Sequence, residues 1–163
     1  MKKECKICLN AMVGNEERVI LRMLESSYKY IDYWVIQCNG SDKTKSIIEK
    51  FYKKKKIPGF TYEHEWDYPG VNRDHTLQTA LKSDHGCDWI LRMDADEQLE
   101  VDDDFDWTPL NEKSAQSFNM TAMGAGSIYF RTWLWNAGIP WKFEHDRRHE
   151  CIYIDGIGDN FER

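Results

Sequence analysis

Two aspartates follow a short apolar run near the middle of the chain. The run Trp89-Ile90-Leu91 precedes Arg92-Met93-Asp94-Ala95-Asp96-Glu97. In extended backbone alternate side chains point the same way, about 6 to 7 Å apart, so Asp94 and Asp96 can face one pocket while Ala95 packs behind them. Carboxylate oxygens are the ligands that Mg²⁺ and Mn²⁺ prefer, and a metal held there can neutralise a departing diphosphate.

An isolated Asp-x-Asp pair also occurs in solvated acidic turns, so the surrounding elements decide between the two interpretations. Apolar patterning predicts strands at 6–11, 33–38, 60–65 and 88–93. Helices are predicted after caps at Asn15 and Asp42, and over 72–82 after a loop at Pro69-Gly70. Ligands of open α/β sheets bind beyond the carboxyl ends of strands. The position of the pair at the end of the fourth strand therefore favours a ligand site.

The order of the elements predicts an α/β fold in a single domain. Strands that alternate with helices indicate a mostly parallel central sheet with right-handed crossovers. After Asp106 the pattern changes to strand-like segments at 116–123, 127–133 and 150–154, which predicts a β-rich C-terminal half. The chain has 163 residues, a length that fits one domain.

The overall charge is negative, −6 at pH 7, with acidic residues concentrated between Asp94 and Asp106. A nucleic-acid partner requires a basic surface, so the charge excludes that class and suits recruitment of a divalent cation. No apolar run approaches the roughly 20 residues that span a bilayer. The N-terminus leads into a strand rather than a signal core, and five cysteines, an odd number, favour reduced thiols. We therefore expect a cytoplasmic protein without a transmembrane segment.

In order and spacing the motifs resemble those of family 2 glycosyltransferases, which have the GT-A fold. The landmarks are residues 7–17, residues 35–44, Asn72-Arg73, residues 89–97, and Trp141 with His149-Glu150. The resemblance implies a Rossmann-like fold in one catalytic domain over 1–163, with the nucleotide on about 1–97 and the acceptor on about 98–163. It implies a metal-dependent, inverting hexosyltransferase that moves a sugar from a nucleotide-diphosphate sugar to a saccharide, a glycoside or another hydroxyl acceptor.

The resemblance also assigns the donor and metal sites. The loop at 11–13 would line the base and ribose through its backbone, and Asp96 would be the main ligand of Mn²⁺ or Mg²⁺, with Asp94 and His149 beside it. The implied donor-binding residues are Ala11, Met12, Val13, Glu16, Gln37, Asn39, Asn72, Arg73, Asp94 and Ala95. A guanidinium suits bidentate pairing with phosphate, the role implied for Arg73; the alternative is a surface arginine at the start of a helix.

The end of the second strand departs from the family pattern. The family usually has an aspartate there that accepts a hydrogen bond from the base, whereas this chain has Gln37 and Cys38. A glutamine amide both donates and accepts, so we expect altered base recognition. GDP-sugars such as GDP-mannose therefore stand beside UDP-sugars as expected donors.

The acceptor is expected near His149-Glu150. An inverting transfer needs a base that takes the proton of the acceptor hydroxyl; Glu150 is the predicted base, with Asp146 and Asp155 in reserve. The alternative for His149-Glu150 is a charged strand edge. Indole faces stack on the C–H surfaces of sugars, and Trp133 and Trp141 are the predicted acceptor-binding tryptophans.

Two other functions fit parts of the sequence. A nucleotidyltransferase also builds a carboxylate–metal site on an α/β sheet, but it would want a Gly-rich, basic loop after the first strand, and residues 13–17 are acidic with one glycine. A carbohydrate-binding or degenerate, non-catalytic module would account for the seven tryptophans and for Gln37. The presence of Asp94, Asp96 and Glu150 favours the transferase.

Overall fold

The computed structural model describes residues 2–124, 126–144 and 152–156. Strands alternate with helices in the first part of the chain, and strands dominate the remainder. The elements are β1 (Ile7–Val13), α1 (Ile20–Ser27), β2 (Tyr33–Cys38), α2 (Thr44–Lys55), β3 (Gly59–Tyr62), α3 (Pro69–Lys82), β4 (Trp89–Arg92), α4 (Thr108–Asn111), β5 (Ser117–Gly124), β6 (Ser127–Asn136), β7 (Trp141–Phe143) and β8 (Ile152–Ile154).

Six of these strands form one sheet in the order β3-β2-β1-β4-β6-β5. The four strands from β3 to β4 are parallel to one another, while β6 runs antiparallel to both β4 and β5. β7 and β8 form a separate antiparallel pair. This pair is attached to α3, because the Phe143 N–H donates to Asp74 Oδ1 at 2.9 Å. Strands from both halves of the chain therefore contribute to a single sheet.

Helices cover both faces of the sheet. On one face Met23 of α1 and Ile48 of α2 belong to the same buried cluster as Leu9 of β1. On the other face Leu77 of α3 belongs to a cluster with Cys8. Right-handed crossovers require this division, because the chain moves outward from β1 to β3 and then returns past β1 to β4.

Two details of the sequence prediction are wrong. Asn15 does not cap α1, which begins at Ile20; its Oδ1 instead accepts hydrogen bonds from the backbone N–H groups of Ser41 and Asp42 at 2.9 and 3.2 Å. Pro69-Gly70 is not a loop but the first turn of α3. Proline suits that position because the first helical turn leaves its N–H groups without partners and proline has none.

The predicted fold class is confirmed. The protein has an α/β fold with a mostly parallel central sheet, and the part after residue 106 is β-rich. Within the described ranges, no helix has the length and apolar character needed to cross a membrane.

The loops after β1 and β2 are fastened together at the carboxyl end of the sheet. Besides the hydrogen bonds of Asn15, the Glu17 N–H donates to Asp42 Oδ2 at 3.0 Å. Gly40 lies directly against the backbone of Gly14, so that a Cβ at position 40 would stand 2.5 Å from the Gly14 carbonyl oxygen. Only glycine permits so close an approach of two backbones.

Replacing Gly40 with alanine is expected to lower the free energy of unfolding by about 1 to 3 kcal/mol, the usual cost of overpacking, because the new methyl group overlaps the Gly14 backbone. The matched control is Gly14→Ala, whose Cβ would meet nothing within 4 Å and which should stay within about 0.5 kcal/mol of the wild type. Urea unfolding followed by circular dichroism measures both. Equal stability of the two variants would contradict the described packing of the loops.

Candidate active site

The strand order places a topological switch point, the expected position of a ligand crevice, at the carboxyl ends of β1 and β4. From β1 the chain proceeds to β2 on one side, whereas β4 pairs with β1 on the other side. The segments that leave these two strands therefore diverge, and such a switch point is where open α/β sheets bind ligands. Val13 ends β1 and Arg92 ends β4, so the residues that follow them border the crevice.

The two aspartates lie in a tight turn directly after β4. The Glu97 N–H donates to the Asp94 carbonyl oxygen at 3.1 Å, and the Glu97 carboxylate accepts from the Asp94 N–H at 2.7 Å. The extended backbone predicted for this segment is therefore wrong, because the Glu97 side chain folds back and closes a turn. Ala95 is buried, as expected, and Asp96 is exposed.

Two arginines hold the Asp94 carboxylate. Arg73 of α3 contacts Oδ1 at 2.7 Å, and Arg92 contacts Oδ2 at 3.1 Å. The arginine side chains are 12% exposed and that of Asp94 is 26% exposed, so solvent and salt screen their attraction less than at an open surface. The carboxylate thereby fixes two guanidinium groups beside the crevice.

The sequence prediction omitted Arg92 and Glu97 from the site. A signal for Arg92 was present, because this residue ends the strand that leads directly to Asp94. Glu97 had no such signal, since its contact exists only once the turn has formed. For Arg73 the structure shows the contact with Asp94, and its predicted contact with the donor phosphate stays a prediction.

Glu97 modifies the charge around the turn. Burial raises the pKa of its carboxyl group, and the negative charges of Asp94 and Asp96 also raise it, against the opposing effects of the Asp94 N–H and of Arg92. Glu97 therefore takes up a proton more readily than an ordinary glutamate.

A buried polar network attaches α3 to β2. Gln37 is fully buried; its Nε2 donates to Asn72 Oδ1 at 3.1 Å, and its Oε1 accepts from the Thr76 hydroxyl at 2.8 Å and from the Tyr62 hydroxyl at 3.4 Å. Both ends of the amide thus have partners inside the protein. The network holds the helical turn that carries Arg73, and the predicted donor contacts of Gln37 and Asn72 stay predictions.

The remaining predicted donor-binding residues lie at the carboxyl ends of β1 and β2. Ala11 and Val13 have buried side chains, which suits the expectation that their backbone, and not their side chains, would meet a ligand. Met12 and Glu16 are half-buried. Asn39 is exposed and exchanges hydrogen bonds with the backbone of the segment after β3.

The predicted catalytic and acceptor residues are described only in part. Glu150, His149 and the reserve base Asp146 lie outside the described residues. The other reserve base, Asp155, is exposed and forms an ion pair with Lys142 at 2.9 Å. Its role as a base stays a prediction.

The two predicted acceptor tryptophans have different surroundings. Trp141 is buried, and its Nε1–H donates to the Asn136 carbonyl oxygen at 3.0 Å. Trp133 borders a cavity of about 380 Å³ that Arg92 also lines. A second cavity of about 390 Å³, largely apolar, has a lining that includes Leu91, Phe105, Trp107 and Leu110. Of the two tryptophans, Trp133 has the surroundings better suited to contact a ligand.

Comparison with known proteins gives similarities at low sequence identity. TarS from S. aureus is 24% identical over 56% of this chain, with a TM-score of 0.45. The mannosyltransferase PcManGT from Pyrobaculum calidifontis, in complex with GDP-Man and Mn²⁺, is 19% identical over 62% of this chain, with a TM-score of 0.49. A 4-diphosphocytidyl-2C-methyl-D-erythritol synthase is 11% identical over 85% of this chain and 78% of its own, with a TM-score of 0.52.

These similarities concern the fold. The matched regions span 16% of the TarS chain and 30% of the PcManGT chain, so this chain corresponds to less than a third of either. The synthase match covers most of both chains and shows a shared α/β fold. No family model and no curated protein matches the sequence.

Replacing Asp94 with asparagine is expected to lower the free energy of unfolding by about 1 to 3 kcal/mol, the range for charged hydrogen bonds that are partly buried, because both guanidinium groups lose the carboxylate that they share. Asp96→Asn is the matched control; it alters an exposed carboxylate and should stay within about 0.5 kcal/mol of the wild type. Chemical denaturation at neutral pH gives both values. Losses of similar size would contradict the ion cluster.

Proposed function

We propose that this chain is a glycosyltransferase that moves a sugar from a nucleotide-diphosphate sugar to a hydroxyl acceptor with inversion at the anomeric carbon. The proposal depends on one observation: the aspartate turn and the Arg73–Asp94–Arg92 cluster lie at the carboxyl end of β4, beside the switch point between β1 and β4. Switch-point crevices bind nucleotides in open α/β sheets. The resemblance of the motifs to family 2 glycosyltransferases supports the donor class.

The residues of the turn fit a divalent cation. Mg²⁺ and related ions commonly take one or two protein carboxylates and complete their shell with phosphate oxygens and water. Within the described ranges no three His, Cys, Asp or Glu side chains form a metal cluster, so the diphosphate would supply further ligands. Asp96 is the principal ligand in this proposal because both oxygens of Asp94 contact arginines; Asp94 and His149 would assist. When bound, the cation would neutralise charge on the diphosphate.

Arg73 and Arg92 would bind the diphosphate. Guanidinium groups pair with phosphate oxygens in a bidentate geometry. Asp94 holds both groups at the crevice before a donor arrives, and the network around Gln37 holds the helix of Arg73. Little side-chain ordering would then remain to be done on binding, which favours affinity.

Base recognition would fall to the ends of β1 and β2. Gln37 has both amide groups bonded within the protein, so in this proposal the backbone of residues 11–13 and the exposed side chain of Asn39 contact the base. A GDP-sugar or a UDP-sugar is the proposed donor. At the acceptor, Glu150 would take the hydroxyl proton as the oxygen attacks the anomeric carbon, with Trp133 and Trp141 on the acceptor side.

The donor proposal is tested by thermal unfolding with UDP-, GDP-, CMP- and dTDP-sugars, each with and without Mn²⁺. One nucleotide sugar is expected to raise the Tm in a Mn²⁺-dependent way, because a ligand that binds only the folded state stabilises it by mass action. Asp96→Asn is expected to lose the Mn²⁺-dependent part of the shift. The control Asp103→Asn, an exposed aspartate outside the turn, should retain it.

Three results would count against parts of the proposal. Full Mn²⁺-dependent binding by Asp96→Asn would remove Asp96 as the ligand. Tighter binding of free nucleoside triphosphates than of nucleotide sugars would favour a nucleotidyltransferase. Undiminished turnover by Glu150→Gln would transfer the role of base to Asp146 or Asp155.

A further inference from the structure

A cavity of about 380 Å³ adjoins the arginine cluster on the α3 face of the sheet, where β4 pairs with β6. The described residues that line it include Arg92, Arg131, Trp133, Trp135 and Phe143. Arg92 also contacts Asp94. The cavity and the proposed donor crevice therefore share a side chain.

Both tryptophans of the cavity have a hydrogen-bond donor that the described protein does not use. Trp133 is 8% exposed and Trp135 is 1% exposed, yet neither Nε1–H has a partner among the described residues. By contrast Trp34, Trp89 and Trp141 each donate to a backbone carbonyl oxygen at 3.0 Å. A buried donor without a partner costs about 1 to 3 kcal/mol. A ligand oxygen within reach of these donors would remove this cost.

The described lining favours an anionic ligand. It contains two guanidinium groups, of Arg92 and Arg131, and none of its described members is acidic. The Arg131 guanidinium lies over the Trp133 ring, 5.8 Å from its centre. Thr132, the hydroxyl residue among the described lining, donates to Asn119 at 2.5 Å. The described donors of the lining are therefore mainly the N–H groups of guanidinium and indole side chains, and charge-assisted hydrogen bonds from guanidinium to carboxylate or phosphate oxygens are among the stronger ones.

We propose that this cavity binds a carboxylate or phosphate group carried by the sugar acceptor. The N–H groups of Trp133 and Trp135 and the guanidinium of Arg131 would bind the anionic oxygens, and the ring of Phe143 would lie against the sugar. The identification of the ligand as the acceptor rests on the proposed glycosyltransferase function. The binding of an anionic sugar in the cavity is independent of that function. Because Arg92 belongs to both sites, an acceptor bound in the cavity would lie beside the proposed donor site.

The test is calorimetric titration of the protein with glucuronate, glucose 6-phosphate and glucose, in the absence of metal and nucleotide. At least one anionic sugar is expected to bind about tenfold or more tightly than glucose, and the comparison of the two identifies the preferred anion. Trp133→Phe keeps an aromatic ring but removes the N–H, and Arg131→Gln removes the charge; each is expected to weaken anion binding about tenfold. Arg22→Gln, an exposed arginine of α1 on the opposite face, is the charge-matched control and should bind as the wild type does.

Glucose binding as tightly as both anionic sugars, or no binding of any of the three, would overturn the proposal. Equal losses in Arg131→Gln and Arg22→Gln would do the same, as would unchanged anion binding by Trp133→Phe. Thermal unfolding of each variant verifies that it is folded; if Trp133→Phe is unfolded, Arg131→Gln at the exposed edge decides the question.

The titration separates this proposal from the donor proposal. Asp96→Asn should bind the anionic sugar as the wild type does, because Asp96 does not line the cavity. Retained anion binding with no nucleotide binding would reject the glycosyltransferase and keep the cavity. Nucleotide binding without anion binding would reject the cavity alone.

Discussion

The shared Asp94 carboxylate is the contact on which the geometry of the crevice depends. Arg73 comes from α3 and Arg92 from β4, and two guanidinium groups brought this close repel each other unless an anion lies between them. Asp94 supplies that anion at 2.7 and 3.1 Å. It thereby joins a helix on one face of the sheet to the end of a central strand, at the point where the strand order reverses.

Support for this contact comes from parts of the chain that would not touch a ligand. Gln37 connects β2 to α3 through Asn72 and Thr76, and the Glu97 carboxylate closes the turn that presents Asp94. These are buried or half-buried polar groups with partners, and such groups fix orientation because breaking one leaves its partner without a hydrogen bond. The charged cluster is therefore attached to polar groups that already have partners.

The sequence predicted the elements better than the contacts between them. Buried parallel strands are apolar runs, so β2 was expected at 33–38 and lies there. The turn at 94–97 was missed because an extended chain and a turn suit the same residues until the Glu97 side chain meets the Asp94 N–H. Asn15 was misassigned for a related reason. Its side chain suits a helix cap, but it accepts a hydrogen bond from the Ser41 N–H in a loop that is distant in sequence. In the site, Arg73 and Asp94 were both expected from the family resemblance and are in contact, whereas Arg92 and Glu97 depend on tertiary structure.

The antiparallel strand β6 and the parallel strands contribute to different regions of the molecule. Arg131, Trp133 and Trp135 of β6 line the same cavity, together with Thr132, whereas the segments at the switch point leave the parallel strands β1 and β4. Substitutions at these three positions can change what the cavity accepts without altering the pairing of β1 with β2 or β4. Sequence variation along one antiparallel strand can thus reshape the cavity while the parallel core keeps its register.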